Sequence, residues 1–313
     1  MEKNKSTTPA EDLYPSRIDG TEQIIQRKDP IVYGDTQPDV AHTLNTSQLY
    51  SYNENGYIVL PDYMPEMVTP LQDEINRLKR TMANSNELIT EADSQAIRSI
   101  FMPNAYSKLI DRFSRHPKIL NIARQLLGSD VYITQARVNN KPAFNGRSFA
   151  WHSDFETWHV EDGMPRMRAV TAWIMLTENN EFNGPLYVIP GSHKNYISCA
   201  GVTNKRNYTQ SLKRQQAGVP RSETMQQILQ DKEIQSIHGN PGSMVFHECN
   251  LLHGSADNIS GMQRTVLMLV FNSCDNALKK PFGLQSPRPK YLRNPDATAL
   301  NISHACMQTG NAV

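Results

Sequence analysis

The sequence has almost no excess of charge of either sign: 32 Lys and Arg stand against 31 Asp and Glu in 313 residues. So balanced a chain has no general electrostatic pull toward nucleic acid or anionic lipid, and neither is an expected partner. Long apolar runs are missing as well. The longest, AVTAWIML (169–176) and TVLMLVF (265–271), fall far short of the ~20 residues that a membrane-spanning helix needs. The opening MEKNKSTTPAEDLYPS holds no apolar stretch, so no secretory signal is expected and a cytoplasmic location is. Cysteine is scarce: Cys199, Cys249, Cys274 and Cys306 form no CxxC pair. That argues against a disulfide framework or a Cys-built zinc site and for free thiols in a reducing compartment. The sequons at Asn45, Asn207, Asn258 and Asn301 are then accidental. No GxGxxG, P-loop or GxSxG is present, and His247–Glu248 lacks the second His of an HExxH motif.

What is there is enough apolar residue, 38%, for one sizeable core. Residues 1–40 are polar and aperiodic and read as an extended arm; 41–313 read as a single domain. NENGYIVLPDY, from Asn53, gives a turn and a short strand. Met64, Met67, Val68, Leu71, Ile75, Leu78 and Met82 follow at helical spacing, with Asp62 as a cap. HPKILNIARQLLGSD (116–130) is a second amphipathic helix, stopped by Gly128. These make a helical support over about 62–128. From about 130 to 275 the texture turns to short β-rich runs: VYITQARVNNK, MRAVTAWIMLTE, GPLYVIPG, GSMVFHE and RTVLMLVFNS. A polar insertion, 195–240, carries one helix, RSETMQQILQD, and has the length of a lid. The Pro-rich tail, 279–313, is expected to wrap the surface. Helices first and strands afterwards predict a mainly β core, a sandwich or barrel buttressed by helices on one side.

One stretch is too polar for a plain core and too aromatic for a surface loop: FAWHSDFETWHVE, Phe149 to Glu161. Alternate residues of a strand share a face, so His152 and Asp154 can grip one ion. Two His with one carboxylate, leaving positions open, is the set used for non-haem Fe(II) oxygen chemistry. Alone the triplet is weak, since His159–Val160–Glu161 repeats it. A third ligand is available in His253 of NLLHGSADN. Arg264 then opens the next strand; pointed into a barrel it needs an anion, which a dicarboxylic cosubstrate would supply, with Ser255 adding a hydroxyl. A structural ion pair for Arg264 is the competing reading. Gln135, Arg137, Asn139 and Lys141 alternate onto one face opposite Ala136 and Val138. That face is either solvated or the polar lining of a pocket.

FAWHSDFETWHVEDGMPRMRAVT resembles the signature of ectoine hydroxylases, members of the phytanoyl-CoA-dioxygenase-like branch of the Fe(II)/2-oxoglutarate oxygenases. GPLYVIPGSHK, LHGSADN followed by Arg264, EDLYPSR and QRKDPIVY are similar to the same group. The pattern departs at Thr171, where the signature has Ser. The resemblance implies a double-stranded β-helix (jelly roll), with Fe(II), 2-oxoglutarate and O2 used to convert ectoine to 5-hydroxyectoine, releasing succinate and CO2. By position it makes His152, Asp154 and His253 the metal ligands. It puts Arg264 and Ser255 on the distal carboxylate of 2-oxoglutarate, with Lys141, Asn139 and Phe149 lining that site. Gln135, Trp158 and Phe271 would contact ectoine, with Thr171 at the pocket, and His159–Glu161 becomes structural. A homodimer is implied too. Two other readings stand beside it: a hydroxylase of another small amino acid such as proline, and a non-catalytic cupin-like binding protein.

Overall fold

Apolar residues in strands that alternate between two buried faces force a layered molecule, and the layers can be followed residue by residue. A computed structural model describes residues 12–17, 20–34, 40–204, 206–284 and 286–303. The strands are β1 (Gln23–Gln26), β2 (Tyr57–Leu60), β3 (Leu88–Thr90), β4 (Ile97–Phe101), β5 (Val131–Lys141), β6 (Phe149–His152) and β7 (Ala169–Met175). They continue as β8 (Leu186–Val188), β9 (Asn195–Ser198), β10 (Gln235–Ile237), β11 (Met244–Glu248), β12 (His253–Ser255) and β13 (Arg264–Ser273). A seven-stranded sheet in the order β2-β11-β7-β13-β5-β4-β3 faces a four-stranded sheet, β10-β8-β12-β6, and every pairing is antiparallel. This is the expected jelly roll.

The helices are α1 (Thr46–Asn55), α2 (Val68–Thr81), α3 (Pro103–Tyr106), α4 (Lys108–Ser114), α5 (Pro117–Leu127), α6 (Asp154–Thr157), α7 (Tyr208–Ser211) and α8 (Ser222–Ile228). The α5 helix presents Ile119, Leu120, Ile122, Ala123, Leu126 and Leu127 to the larger sheet, over β5, β7 and β13. Its end is set by Gly128, at φ 57°, the left-handed conformation that a side chain resists. The α2 helix buries Leu71, Ile75 and Leu78 in the same cluster. On the sheet the outward set is Val170, Ala172 and Ile174 of β7 and Leu267, Leu269 and Phe271 of β13. The intervening residues, Trp173, Met175, Val266 and Met268, turn inward between the sheets. Burying these two layers is the main source of stability, at about 25 cal/mol per Å² of apolar surface.

Several expectations shift. Asp62 caps nothing: its φ is 47°, and the helix is entered through a 3-10 turn, Pro65–Met67, without a side-chain cap. The helical support contains β3 and β4, which extend the larger sheet beyond β5. The α1 helix had no periodic signal; its mark is the Asn45–Gln48 capping box, closed at Gly56. The segment read as an arm is tied down where it is described. Tyr14 is fully buried, and β1 pairs with β9 at the start of the 195–240 insertion. That insertion also holds α7, α8 and β10, the last a member of the smaller sheet. The tail returns along β5, where the Asn294 and Leu300 amides donate to the Thr134 and Val131 carbonyls. Cys199 and Cys249 are buried free thiols and Cys274 is half-buried and free; Cys306 lies outside the described residues.

Candidate metal centre and its two cavities

His152 ends β6, Ser153 is still extended, and Asp154 opens α6, with the Ser153 hydroxyl capping the Glu156 amide at 3.4 Å. The two ligands therefore share a direction across a strand-to-helix junction, not along one strand. His253 begins β12 and pairs in register with His152. The ligand atoms of His152, Asp154 and His253 lie within 4.8 Å of one another. Both imidazoles are set by the backbone: His152 Nδ1 lies 2.7 Å from the Ala150 carbonyl and His253 Nδ1 2.9 Å from the Leu251 carbonyl. A ring nitrogen facing a carbonyl carries the proton, so each Nε2 lone pair points into the site. Burial pushes the His253 imidazole down to about 3, with His152 adding to it, so the ring is neutral and fit to ligate. Burial alone would push the Asp154 carboxyl up; the surrounding His253, His152 and His247 outweigh it and hold it well below the usual carboxylate range. Two neutral imidazoles and one carboxylate fit a borderline divalent metal such as Fe(II).

Two cavities meet at this set, and Arg137, Phe149 and His152 belong to both. The first holds Gln135, Asp154, Trp158, Glu161 and Arg288 in its wall, with Leu212, Gln215 and Ala217 from the insertion closing it. The second is lined by Asn139, Trp173, His253, Ser255, Arg264 and Met268. Arg264 is deeply buried; its Nη1 donates to the Gly184 carbonyl at 2.6 Å, while its Nε has no partner among the described residues. Burial, then Arg137 and Arg98 beside it, bring its guanidinium down to about 9. Among the described residues no carboxylate pairs with it, so the ion-pair reading finds no support there and an anion is wanted in the cavity. The Asn139 Oδ1 is likewise unpartnered.

The expected residues do not all arrive. His152, Asp154 and His253 converge; Asn139, Phe149, Ser255 and Arg264 line the second cavity; Gln135 and Trp158 line the first. Lys141 lines neither: its Nζ donates to the Ala256 carbonyl. Burial, reinforced by Arg264 and Arg98, lowers it to about 6. Phe271 is fully buried on the helix side of the larger sheet and lines neither cavity. A strand that turns Arg264 inward turns 266, 268 and 270 inward too, and 271 outward. Thr171 faces the interior, fully buried, with its Oγ1 unpartnered, but lines neither cavity. In the second triplet His159 is structural, with Nδ1 2.8 Å from the Met164 carbonyl and Nε2 2.9 Å from Asp12. Glu161 is not merely structural, because it reaches the first cavity with Oε2 unpartnered.

Three residues were missed. Arg137 was already on the polar face with Gln135 and Asn139; half-buried where the two cavities meet, among the described residues it donates only to the Met268 thioether, at 3.3 Å. Trp173 was hidden inside an apolar run. Nothing in the sequence set Arg288 apart from its Pro-rich tail.

The model of the phytanoyl-CoA dioxygenase family (PhyH) matches residues 52–266. The chain is 46% identical over 289 residues to the ectoine dioxygenase of Bordetella bronchiseptica, spanning 91% of this chain and 93% of that one. It is similar to the crystal structure of EctD from S. alaskensis with 2-oxoglutarate and 5-hydroxyectoine, at TM-score 0.85 and 39% identity, covering 94% of this chain and 98% of the other. The same protein with bound Fe gives a TM-score of 0.83 at 39% identity, with the same coverage of both chains. The chain thus belongs to the phytanoyl-CoA dioxygenase family, in its ectoine dioxygenase branch.

Proposed function

We propose that the protein hydroxylates ectoine to 5-hydroxyectoine, using 2-oxoglutarate and O2. The observation that carries this reading is a pair of polar side chains with unused hydrogen-bonding capacity in the first cavity. Among the described residues Arg137 offers a guanidinium with no oxygen acceptor, and Glu161, ion-paired through Oε1 to Arg17 and with Arg288 Nε 3.9 Å from Oε2, keeps Oε2 free of any hydrogen bond. Ectoine, a cyclic amidinium that also bears a carboxylate, supplies the complement of both. Trp158 gives the cation an aromatic face, an attraction of about 0.5–2 kcal/mol. Gln135 donates its amide to the Leu292 carbonyl at 2.7 Å, which leaves its own carbonyl oxygen as an acceptor for a ring N–H.

His152, Asp154 and His253 would hold the iron. When bound, it supplies the oxidising chemistry, in which one oxygen atom of O2 enters the substrate and the other enters succinate as 2-oxoglutarate loses CO2. The chain's own work is positioning and exclusion of water. Arg264 and Ser255 hold the distal carboxylate of 2-oxoglutarate, with Asn139 and Phe149 beside it. Phe149 and Arg137, common to both cavities, fix the distance between cosubstrate and substrate. Residues 212–217 cover the substrate side. A homodimer in the cytoplasm is part of the same reading, as the resemblance to ectoine hydroxylases implies; light scattering on the purified protein tests the dimer.

The deciding experiment incubates purified protein with Fe(II), 2-oxoglutarate, O2 and ectoine and measures product mass and succinate together. One added oxygen per succinate is expected. Faster turnover of proline than of ectoine, or no succinate release with ectoine, would sink the assignment.

A further inference from the structure

A third imidazole stands behind the carboxylate of Asp154. His247, on β11, is fully buried, and its Nε2 has no hydrogen-bond partner among the described residues. Asp154 Oδ2 lies 3.6 Å from that nitrogen. On the far side of the ring, Trp173 Nε1 donates to His247 Nδ1 at 3.3 Å. An indole N–H can only donate, so Nδ1 is the bare nitrogen and neutral His247 carries its proton on Nε2. Thr171 sits opposite in the β11–β7 register, and its hydroxyl oxygen is also without a partner, so it does not serve as the acceptor. Among the described residues this buried N–H has no hydrogen-bond partner, and the Asp154 carboxylate is the acceptor that it faces.

We propose that His247 is a positioning residue for the iron site: with metal bound, its Nε2–H hydrogen-bonds one oxygen of Asp154 and leaves the other to ligate. At 3.6 Å the contact is longer than a hydrogen bond, and a modest rotation of the carboxylate closes it. Engaging one oxygen would leave Asp154 a single oxygen to offer a metal ion held with His152 and His253. The chain Trp173 to His247 to Asp154 is a relay of orientation: the indole fixes the tautomer, the tautomer fixes the carboxylate, and the carboxylate fixes the metal. Trp173 also lines the cosubstrate cavity, so the same side chain shapes both.

The inference rests on the iron reading, and the test separates the two. Apo protein is titrated anaerobically with Fe(II), and with Co(II) as a spectroscopic stand-in, in the wild type and in His247→Phe, His247→Gln and Trp173→Phe. If the wild type binds no stoichiometric ion, the metal reading itself fails. If it binds, His247→Phe is expected to weaken Fe(II) about 10- to 100-fold, the range typical of removing an outer partner of a ligand, and to change the Co(II) absorption spectrum. His247→Gln, which keeps an N–H donor, is expected to recover affinity to within about threefold of wild type. A folded His247→Phe protein with wild-type affinity and spectrum would overturn the proposal. Should His247→Phe not fold, Trp173→Phe decides: it keeps the imidazole but frees its tautomer, and unchanged Fe(II) affinity there overturns the relay.

Discussion

Arg17 and Glu161 are 144 positions apart in the chain and 2.6 Å apart in the fold, from Nη1 to Oε1. The same guanidinium grips both oxygens of Glu156, at 2.9 Å from Nε and 2.6 Å from Nη2. One buried cation therefore clips the N-terminal segment to the turn that carries Trp158 and Glu161 into the first cavity. A helical turn of π type, Trp158–Asp162, ends at Gly163, whose φ is 82°. That wall of the first cavity is thus held from the N-terminal segment, which does not itself line the cavity among the described residues.

Arg17→Met is expected to cost about 3–5 kcal/mol, because it strands two buried carboxylates. Urea unfolding should show a lower midpoint at an unchanged slope. The triple variant with Glu156→Gln and Glu161→Gln should recover part of the loss, since no charge is then left unpaired. Equal stability of Arg17→Met and wild type would refute the clip.

Asp154→Ala should abolish hydroxylation and weaken Fe(II) by more than the ~10- to 100-fold typical of outer-shell changes. Equilibrium dialysis of the apo protein against Fe(II) under anaerobic conditions reads this directly. Wild-type turnover in that variant would remove the metal assignment altogether.

Arg264→Ala should raise the KM for 2-oxoglutarate at least ~30-fold, the lower end for losing one partner of a buried charged pair. The KM for ectoine should move far less. Arg264→Lys is not expected to restore function, because an ammonium cannot reproduce the planar fork. Steady-state kinetics with each substrate varied in turn checks the split; equal effects on both would deny the anchoring role.

Legibility followed the distance over which a feature declares itself. The β5 strand announced its polar face because Gln135, Arg137, Asn139 and Lys141 alternate without a break, and the structure turns that face inward over most of its length. The β3 strand spans three residues, too few to show alternation, and β4 is buried on both sides beyond its first residue, so neither broke the helical reading. The metal ligands were legible because their chemistry fixes residue type. The orienting partners were not: His247 and Trp173 meet only through the pairing of β11 with β7, which no local pattern records. Phe271 failed for a different reason. Parity along β13 from Arg264 already points it outward, and the resemblance overrode that count.

That correction is itself testable. Trp158→Ala should raise the KM for ectoine about 2- to 30-fold, the equivalent of a cation–ring attraction of roughly 0.5–2 kcal/mol. Phe271→Ala should instead cost about 3–5 kcal/mol of stability, as an emptied core position does, with the KM for ectoine near wild type in the folded fraction. Thermal unfolding beside kinetics for the pair distinguishes wall from core. A large KM effect with little loss of stability at 271 would restore it to the pocket.

Lys141 gives the pH dependence. Burial has brought its ammonium from the ordinary 10.5 to about 6, so between these values the unfolded chain holds a proton that the fold does not. Stability of the apo protein on this account rises with pH across that window, by about 1.4 kcal/mol per unit. Below about 6 the penalty is complete and flat. Lys141→Met removes the group, and with it the slope. The variant should be favoured most, relative to wild type, near pH 6, and its advantage should shrink steadily by pH 9. A bound 2-oxoglutarate dianion nearby would raise the lysine again, so binding should take up a proton, visible as a buffer-dependent heat in calorimetry. Parallel stability curves for variant and wild type from pH 6 to 9 would mean that Lys141 stays charged in the fold, and its carbonyl partner Ala256 would then be holding an ammonium rather than an amine.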